Sequence, residues 1–345
     1  MSSELIELKS NYKNILRVGY MMSNVCNYSC DYCFPGSHEG THQFKMDWQL
    51  AAKNLNHLFG YYIEHSDKSK FNLQIAGGEP TLWPDLPNFC NAVRDGYRVS
   101  IMIISNGSRT HRWWQEHGDC FDHVVLSCHH KEVDIDHFME VANILYRKNV
   151  KVSVVVMMDP TAWDKCTSLV ETLKDSKYKW PLFVQKLEGN YTYNEHQAEY
   201  LKKSTVRIGS LVHLFKTMHR AYGYQQEPVA TFSYGHTKQL TAHEVSLNGW
   251  NNFYGWNCNL GVDSVYVNLD GNITGTCNQK PYGLDFYHNI YDENFSETFT
   301  PNIKPTICKS IICGCVDEIN MTKRKVIHLV PISSTVCLPH KYSSF

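Results

Sequence analysis

The sequence lacks the features that membrane, exported and nucleic-acid-binding proteins usually carry. It contains no apolar run of about 18 residues, so no membrane-spanning helix is expected. Its first residues, MSSELIELKSNYKN, include neither an apolar stretch nor a small-residue cleavage site, which favours a soluble, cytoplasmic protein over a secreted one. The net charge is -1 and no long lysine or arginine block occurs, so a nucleic-acid or membrane partner is not expected.

Cysteine, in contrast, is abundant, with 13 in a chain of 345 residues. In a reducing compartment disulfides are not expected, and so many thiols suggest metal ligands. The length and the 43% content of hydrophobic residues predict one barrel-sized domain with a smaller appended one.

Short β-branched runs alternate with segments of helical period in the first half of the chain. The predicted strands lie at residues 15–23, 71–76, 99–105, 123–127, 150–158 and 180–186. The clearest helix begins after Asp47, a plausible cap, and another runs from Ile135 to Leu145. This succession predicts an α/β fold whose parallel sheet curls into a full or partial (β/α)6 barrel, with its chemistry at the carboxyl ends of the strands.

In the second half of the chain the regular alternation of strand and helix patterns stops. One helix is predicted between Glu195 and Ala221, and VDSVYVNLDGNITGTC predicts a hairpin around Asp270-Gly271. The predicted parts are an N-terminal extension, the barrel, an aromatic-rich connecting segment and a small hairpin-plus-cysteine domain, at residues 1–14, 15–190, 191–257 and 258–345.

Three cysteines follow the strand at 15–23 directly, with three and then two residues between them: Cys26, Cys30 and Cys33. Three thiolates on one short loop can hold three corners of a 4Fe-4S cube and leave the fourth iron open for an exogenous ligand. The alternative is a structural zinc site completed by His38 or His42, although zinc sites usually pair their cysteines as C-x2-C twice. The spacing favours the open cluster.

The next predicted strand ends in Gly77-Gly78-Glu79-Pro80. Two glycines at a strand end remove side chains that would keep a ligand from the backbone. Exposed carbonyls and the Glu79 carboxylate are then positioned to accept hydrogen bonds from a cationic amine. A plain turn is the commoner meaning of such a tetrapeptide, but its place one strand after the cysteine loop favours a ligand site.

With both motifs in this order, residues from about 15 to 190 resemble the radical SAM superfamily, whose signature is C-x3-C-x2-C after the first barrel strand and a GGE-type motif after the second. The resemblance implies a 4Fe-4S cluster, S-adenosylmethionine, its reductive cleavage to a 5'-deoxyadenosyl radical, and an electron donor such as flavodoxin or ferredoxin. It also implies that Tyr32 lies near the adenine and that the methionine amine is held by Gly77, Gly78 and Glu79.

Softer matches to the family end the third and fourth strands. Ser105-Asn106-Gly107 is similar to its TNG-like motif, where polar groups meet the ribose or the methionine carboxylate. Ser127 stands where relatives often read SLDG, but the text here is Ser127-Cys128-His129-His130. These histidines are either an acid/base pair, a pocket wall or simply the end of a strand.

A second group of cysteines lies near the C-terminus. Cys258 and Cys277 flank the predicted hairpin, and Cys308, Cys313 and Cys315 follow it. The text from Cys258 to Cys277 resembles the opening of a SPASM or twitch extension, which carries auxiliary iron-sulfur clusters. Because too few cysteines remain for two clusters, one auxiliary 4Fe-4S cluster is predicted, with Cys258, Cys277, Cys313 and Cys315 as preferred ligands and Cys308 as the alternate. Structural zinc is again the alternative.

The predicted function is that of a radical SAM oxidoreductase or modifying enzyme that abstracts hydrogen from a peptide or protein side chain. The alternative within this class is a dehydrogenase or epimerase of a small molecule such as a sugar or an amino alcohol. The alternative outside it is a non-catalytic zinc-binding interaction protein.

Overall fold

A computed structural model describes residues 4–11, 13–33, 36, 38–44, 47–176, 180–187, 190–201, 203–204, 228–275, 288–301, 303–313 and 316–326. These residues form a sheet of eight strands and a sheet of six. In the parts of the chain so described, no helix combines the length and the apolar character needed to cross a membrane.

The larger sheet contains the predicted parallel core. Its first six strands along the chain are β2 (Ile15–Met21), β3 (Lys70–Ala76), β4 (Val99–Ser105), β5 (His123–Cys128), β6 (Lys151–Met158) and β7 (Leu182–Lys186). They are parallel neighbours in chain order. The helices that connect them are α1 (Trp48–His65), α2 (Leu86–Arg94), α3 (His111–His117), α4 (Ile135–Arg147) and α5 (Trp163–Lys174). The predicted α/β fold with a parallel sheet is confirmed.

Local chemistry explains why the predicted helices form. The Asp47 carboxylate caps α1 by accepting hydrogen bonds from the backbone N–H groups of Gln49 and Leu50 at 2.9 and 3.2 Å. The apolar face of α1 packs on the sheet, where the rings of Phe59 and Phe71 lie 4.2 Å apart. Burial of this face, more than helix propensity, stabilises the helix.

The predicted hairpin is present and has a second role. It consists of β11 (Ser264–Val267) and β12 (Ile273–Thr274). The side-chain oxygen of Asn268 accepts hydrogen bonds from the backbone N–H groups of Asp270 and Asn272, at 3.0 and 2.9 Å. Strand β11 also pairs in parallel with β2, so the hairpin extends the larger sheet.

The smaller sheet combines segments that are far apart in sequence. Its strands are β1 (Leu5–Lys9), β8 (Val229–Phe232), β9 (Thr237–Gln239), β10 (Asn257–Cys258), β13 (Thr306–Ile307) and β14 (Lys323–Arg324), in the order β13-β10-β14-β1-β8-β9. The first strand of the protein is therefore β1, within the segment predicted as an N-terminal extension. It pairs antiparallel with both β8 and β14.

Short helices complete the described structure, at Ala242–Leu247, Phe295–Thr298 and Val316–Ile319. The helix predicted between Glu195 and Ala221 is described only in its first part, where residues 195–201 are helical. A separate apolar core underlies the smaller sheet and includes Leu8, Phe232, Phe253 and Trp256.

Candidate functional site

The loop that carries the first three cysteines leaves β2 at its carboxyl end, the edge where β3 to β6 also end. Cys30 is buried, and Cys26 and Cys33 are half-buried. The backbone N–H of Cys33 donates to the carbonyl of Cys30 at 3.1 Å, which forms a tight turn between the second and third thiols. All three predicted metal ligands thus lie on one loop at the edge where chemistry was expected.

Asn24 holds the two ends of this loop together. Its side chain is 1% exposed and donates to the carbonyl of Gly36 at 2.7 Å and to Thr41 Oγ1 at 2.8 Å. Its oxygen accepts from the backbone N–H of His42 at 2.6 Å. Sequence analysis missed this residue, because a single asparagine before a cysteine carries no periodic or spacing signal.

The two glycines after β3 let the chain pack closely against the entrance of the cysteine loop. Gly77 and Gly78 have φ values of +98° and +51°, which L side chains rarely adopt. A Cβ on Gly77 would lie 2.5 Å from the carbonyl oxygen of Ser23, and one on Gly78 would overlap the carbonyl oxygen of Val25. The absence of a side chain therefore allows this contact within the chain, and access of a ligand to the two glycines stays a prediction.

The Glu79 carboxylate is fully buried and is bonded by the chain itself. Oε1 accepts hydrogen bonds from the backbone N–H of Thr81 at 3.1 Å, from Thr81 Oγ1 at 2.5 Å and from Ser105 Oγ at 2.8 Å. Oε2 accepts from the backbone N–H of Asn106 at 2.6 Å. Burial raises the pKa of this carboxyl, and the hydrogen bonds act against that rise. Glu79 thus joins the ends of β3 and β4, and its contact with an amine stays a prediction.

The end of β4 is joined in turn to the cysteine loop. The side-chain amide of Asn106 donates to Asn27 Oδ1 at 3.1 Å and lies 3.9 Å from Cys26 Sγ. Ser108 Oγ also donates to Asn27 Oδ1, at 3.1 Å. Four predicted site residues therefore share one hydrogen-bonded network: Cys26, Glu79, Ser105 and Asn106. Ser127, the penultimate residue of β5, is half-buried at the same edge.

Cys26 and Cys30 would need a bound metal to become thiolates. Burial raises the pKa of Cys26 and raises that of Cys30 to about 11, and neighbouring thiols add to both effects. A coordinated metal reverses this balance, because it stabilises thiolates directly. The donor set therefore fits a thiolate-bound metal centre. Among the described residues, no three cysteine, histidine, aspartate or glutamate side chains already converge at metal-binding distances.

The zinc alternative loses one of its proposed ligands in this arrangement. His42 Nε2 lies 3.1 Å from Asp270 Oδ1 in the hairpin loop, and its Nδ1 lies 3.2 Å from Thr41 Oγ1. Both ring nitrogens are thus engaged away from the thiols. A zinc site at this loop would have to rely on His38.

A cavity of about 200 Å³ adjoins the cysteine loop. Its lining includes Tyr28, Asn106, Ser108, Glu132 and His137. Pockets for whole drug-sized ligands usually have volumes of about 300 Å³ or more. The cavity is therefore sized to take part of a ligand that lies against the loop.

Residues 129–132, directly after β5, contact the cysteine loop. Glu132 Oε1 accepts from Ser29 Oγ at 3.0 Å, and Lys131 pairs with Asp31 at 2.5 Å. Tyr32 Oη lies 3.0 Å from Nδ1 of His129, the first of the four. Of these residues the sequence marks only His129 and His130 as a departure from the family pattern, and the contacts with the loop join residues about 100 positions apart.

Three buried cysteines of the second group lie near one another: Cys258 in β10, Cys308 directly after β13, and Cys313 in the loop that follows. A hydrogen bond between the Cys308 and Cys313 thiols lowers the pKa of Cys308 and raises that of Cys313. Cys277 and Cys315 lie outside the described residues.

The fold and the site define a class of protein, a parallel α/β protein with a three-cysteine loop at the carboxyl edge of its sheet. Residues 20–130 match the family model described as Radical SAM superfamily. This part of the chain is therefore similar to that superfamily, whose members are enzymes that use a 4Fe-4S cluster and S-adenosylmethionine.

Relatives with similar sequences include two S-adenosylmethionine-dependent nucleotide dehydratases. The one from a Thermoplasmatales archaeon is 30% identical over 153 residues, or 41% of this chain and 51% of that protein. The one from Siniperca chuatsi is 32% identical over 118 residues, or 32% and 30%. A GTP 3',8-cyclase of Psychromonas ingrahamii is 30% identical over 93 residues, or 27% and 25%. The chain thus spans about half or less of the length of these relatives.

A solved structure shares the overall fold. Native anSMEcpe with bound AdoMet and Kp18Cys peptide superposes with a TM-score of 0.52 at 16% sequence identity. The match covers 84% of this chain and 81% of that one. At this identity the likeness concerns the fold alone.

Proposed function

We propose that this chain is a radical SAM enzyme that cleaves S-adenosylmethionine reductively and abstracts hydrogen from a substrate. The observation that carries the proposal is the three-thiol loop, joined by hydrogen bonds to the ends of β3 and β4 at the carboxyl edge of a parallel sheet. Cys26, Cys30 and Cys33 would hold a 4Fe-4S cluster, which when bound supplies the electron for cleavage.

The other residues of the site orient and shield this chemistry. Glu79 and Asn106 fix the loop against the sheet, so the thiols keep one arrangement when the ligand binds. Tyr28 and Asn106 line the adjoining cavity, where part of the nucleoside can be kept from water. An external donor such as flavodoxin or ferredoxin supplies the electrons in this proposal.

The second cysteine group is proposed to hold one auxiliary 4Fe-4S cluster. The candidate ligands are Cys258, Cys277, Cys308, Cys313 and Cys315. The proximity of Cys258 to Cys308, and of Cys308 to Cys313, supports this proposal, because thiols from β10 and from the segment after β13 lie near one another. The resemblance of this region to SPASM extensions favours a peptide or protein side chain as the substrate.

A nucleotide is the second candidate substrate. It is favoured by the names of the relatives with similar sequences, two nucleotide dehydratases and a GTP cyclase. A nucleotide is a small molecule, but it is neither the sugar nor the amino alcohol that the sequence suggested as the alternative substrate.

The central experiment compares the wild type, Cys30→Ala and Cys120→Ala after anaerobic iron-sulfur reconstitution. Cys120 is a half-buried cysteine outside both cysteine groups and serves as the matched control. We expect Cys30→Ala to lose about four irons per chain and to form no 5'-deoxyadenosine, whereas Cys120→Ala behaves as wild type. A Cys30→Ala variant with wild-type activity, or a colourless wild type with stoichiometric zinc, would contradict the proposal.

Substrate class is tested with deuterated candidates. Wild-type protein is incubated with S-adenosylmethionine, reductant and either deuterated nucleoside triphosphates or deuterated peptides. Deuterium in the released 5'-deoxyadenosine identifies the class that donates hydrogen. Transfer from a nucleotide alone would overturn the peptide assignment, and transfer from a peptide alone would overturn the nucleotide one.

A further inference from the structure

Large apolar side chains are exposed on the loops around the second cysteine group. Among the described residues nine large hydrophobic side chains are exposed, and four of them form what we call the apolar face: Tyr254, Ile307, Ile311 and Ile312. Their exposed fractions lie between 49% and 66%. Single exposed apolar residues are normal on a protein surface, whereas several of them in one place indicate an interaction site.

Backbone hydrogen bonds bring the members of the apolar face together from two separate segments. The N–H of Gly255 donates to the carbonyl of Cys308 at 2.8 Å, and the N–H of Cys313 donates to the carbonyl of Asn251 at 2.9 Å. The side-chain amide of Asn251 donates back to the carbonyl of Cys313 at 3.0 Å. The loop between these two cysteines therefore runs beside the segment that carries Tyr254.

The charged side chains of the same two segments are all positive. Lys304 and Lys309 are both exposed. Neither residues 245–262 nor residues 298–316 include an aspartate or a glutamate. The chain as a whole, in contrast, has a net charge of -1. The apolar face is therefore bordered by a local excess of positive charge, which complements an acidic protein.

The apolar face also adjoins the thiols of the second cysteine group. Ile307 and Lys309 are the chain neighbours of Cys308, and Ile312 is the chain neighbour of Cys313. Consecutive Cα atoms are about 3.8 Å apart, so these exposed side chains begin one peptide unit away from buried thiols. A protein that covers this face would lie directly over the loop that carries Cys308 and Cys313.

We propose that the apolar face, with Lys304 and Lys309 beside it, is the docking site of an acidic electron-carrier protein of the flavodoxin or ferredoxin class. The apolar side chains supply the buried contact area, and the lysines steer the acidic partner. Encounters of redox proteins bury less than about 1,200 Å² in total, so a few apolar side chains are enough. This inference rests on the proposed function, which requires an external electron carrier but assigns no surface to it.

The test measures binding of the full-length protein to an acidic flavodoxin and to an acidic 2Fe-2S ferredoxin, by isothermal titration calorimetry after anaerobic iron-sulfur reconstitution. Lys309→Glu reverses one charge beside the apolar face. It should raise the dissociation constant about tenfold at low salt and weaken its dependence on salt. Lys165→Glu makes the same charge change at an exposed position of α5, beside the larger sheet, and should bind as wild type does.

Two tyrosines of equal exposure test the apolar contribution. Tyr254, on the apolar face, is 64% exposed, and Tyr234, in the turn between β8 and β9 of the same sheet, is 65% exposed. Tyr254→Ser should raise the dissociation constant about tenfold, because aromatic side chains often carry much of the binding energy of an interface. Replacing Ile311 and Ile312 together by serine should weaken binding as well. Tyr234→Ser should leave binding unchanged.

The outcomes separate this inference from the proposed function. The inference alone is overturned if neither carrier binds the wild type, or if Lys309→Glu and Tyr254→Ser both bind with the wild-type dissociation constant. Equally tight binding of poly-L-glutamate would overturn it too, since that would show unspecific attraction of negative charge. A wild-type dimer that Tyr254→Ser dissociates in sedimentation experiments would assign the face to a second copy of this chain and overturn the inference. The proposed function would fail alone if the wild type formed no 5'-deoxyadenosine yet bound a carrier through this face.

Discussion

The two cysteine groups of this protein differ in the number of chain segments that supply the thiols and in how deeply the thiols are buried. The first three thiols come from one loop at the carboxyl edge of the larger sheet, and two of them are half-buried. The described thiols of the second group come from two segments, β10 and the stretch directly after β13, and are all buried: Cys258, Cys308 and Cys313. A loop-borne set leaves one side of a metal centre accessible, whereas ligands from several segments surround it. The difference is what the proposed function requires, namely an open centre at the first group and a closed one at the second.

Their electrostatic surroundings differ as well. At the first loop, burial raises the pKa of Cys26, and Glu79 and a neighbouring thiol raise it further. In the second group, burial also raises the pKa of Cys258, but the charge of Lys323 opposes that rise. Lys323 is 1% exposed, is the β-sheet partner of Cys258, and has its ammonium 4.9 Å from the centroid of the Phe253 ring. The positive charge of Lys323 would therefore stabilise a thiolate at Cys258 in the second group.

The largest expected effect is a difference in 5'-deoxyadenosine formation between variants of the two cysteine groups. Cys30→Ala should abolish 5'-deoxyadenosine formation, because it removes a ligand of the centre that is proposed to bind S-adenosylmethionine. Cys313→Ala should lose about four irons yet keep cleavage that is uncoupled from product formation. Iron analysis together with chromatography of 5'-deoxyadenosine and product measures both. Equal loss of cleavage in the two variants would refute the functional division.

The second prediction concerns a buried ion pair beside the larger sheet, whose acidic member also accepts a hydrogen bond from the segment before β14. Lys68 lies between α1 and β3, is 2% exposed and pairs with Asp263 at 3.1 Å. Asp263 also accepts from the backbone N–H of Thr322, next to β14, at 2.9 Å. Lys68→Met should lower the free energy of unfolding by about 3–5 kcal/mol, since it leaves a buried carboxylate unpaired. Urea unfolding at pH 7 measures this loss, and Asp67→Asn, at the exposed neighbour of Lys68, is the control.

The same pair predicts the pH dependence of that loss. Burial alone would raise the pKa of Asp263, but Lys68 and the Thr322 hydrogen bonds outweigh it and hold the pKa below its usual value of 3.8. The stabilisation is therefore complete above 3.8 and is lost as the pH falls through the lowered value. In Lys68→Met burial raises the pKa instead, so the deficit relative to wild type should shrink as the pH falls from 7. A deficit independent of pH would exclude this mechanism.

The smallest expected effect comes from the contact between Gly78 and the segment that leads into the first cysteine loop. Two glycine substitutions separate the cost of steric overlap there from the cost of a positive φ. Gly78→Ala combines a positive φ of +51° with overlap at the Val25 carbonyl. Gly249→Ala has a similar φ of +67°, and among the described residues nothing lies within 4 Å of its added Cβ. We expect about 1–2 kcal/mol of destabilisation for Gly249→Ala from conformation alone and about 1–3 kcal/mol more for Gly78→Ala from the overlap.

Iron content provides a second measurement that distinguishes Gly78→Ala from Gly249→Ala. Gly78→Ala should also weaken iron binding at the first loop, because the overlap displaces the segment that leads to Cys26. Gly249→Ala should not affect it. Equal stability and equal iron content in the two variants would mean that the close contact at Val25 has no role.

Local patterns accounted for the core of the fold. Alternation of β-branched and helical segments predicted the strands from β2 to β7 to within two residues at each end. Asp47 as a helix cap and Asp270-Gly271 in a hairpin loop were also predicted, because caps and turns depend on neighbours only a few residues away. The spacing of Cys26, Cys30 and Cys33 likewise lies within a single loop.

The remaining features depend on contacts across the whole chain. Strand β1 joins the smaller sheet through partners such as Arg324, whose guanidinium reaches Glu7 across 317 positions. The stacking of Tyr32 on His129, 97 positions away, has no local signature either. Periodicity and spacing are properties of short segments, so the sequence by itself determined the parallel core and the loop that bears the thiols. Only tertiary packing decided which distant strands and side chains meet them, because that choice depends on burial and hydrogen bonding summed over the folded chain.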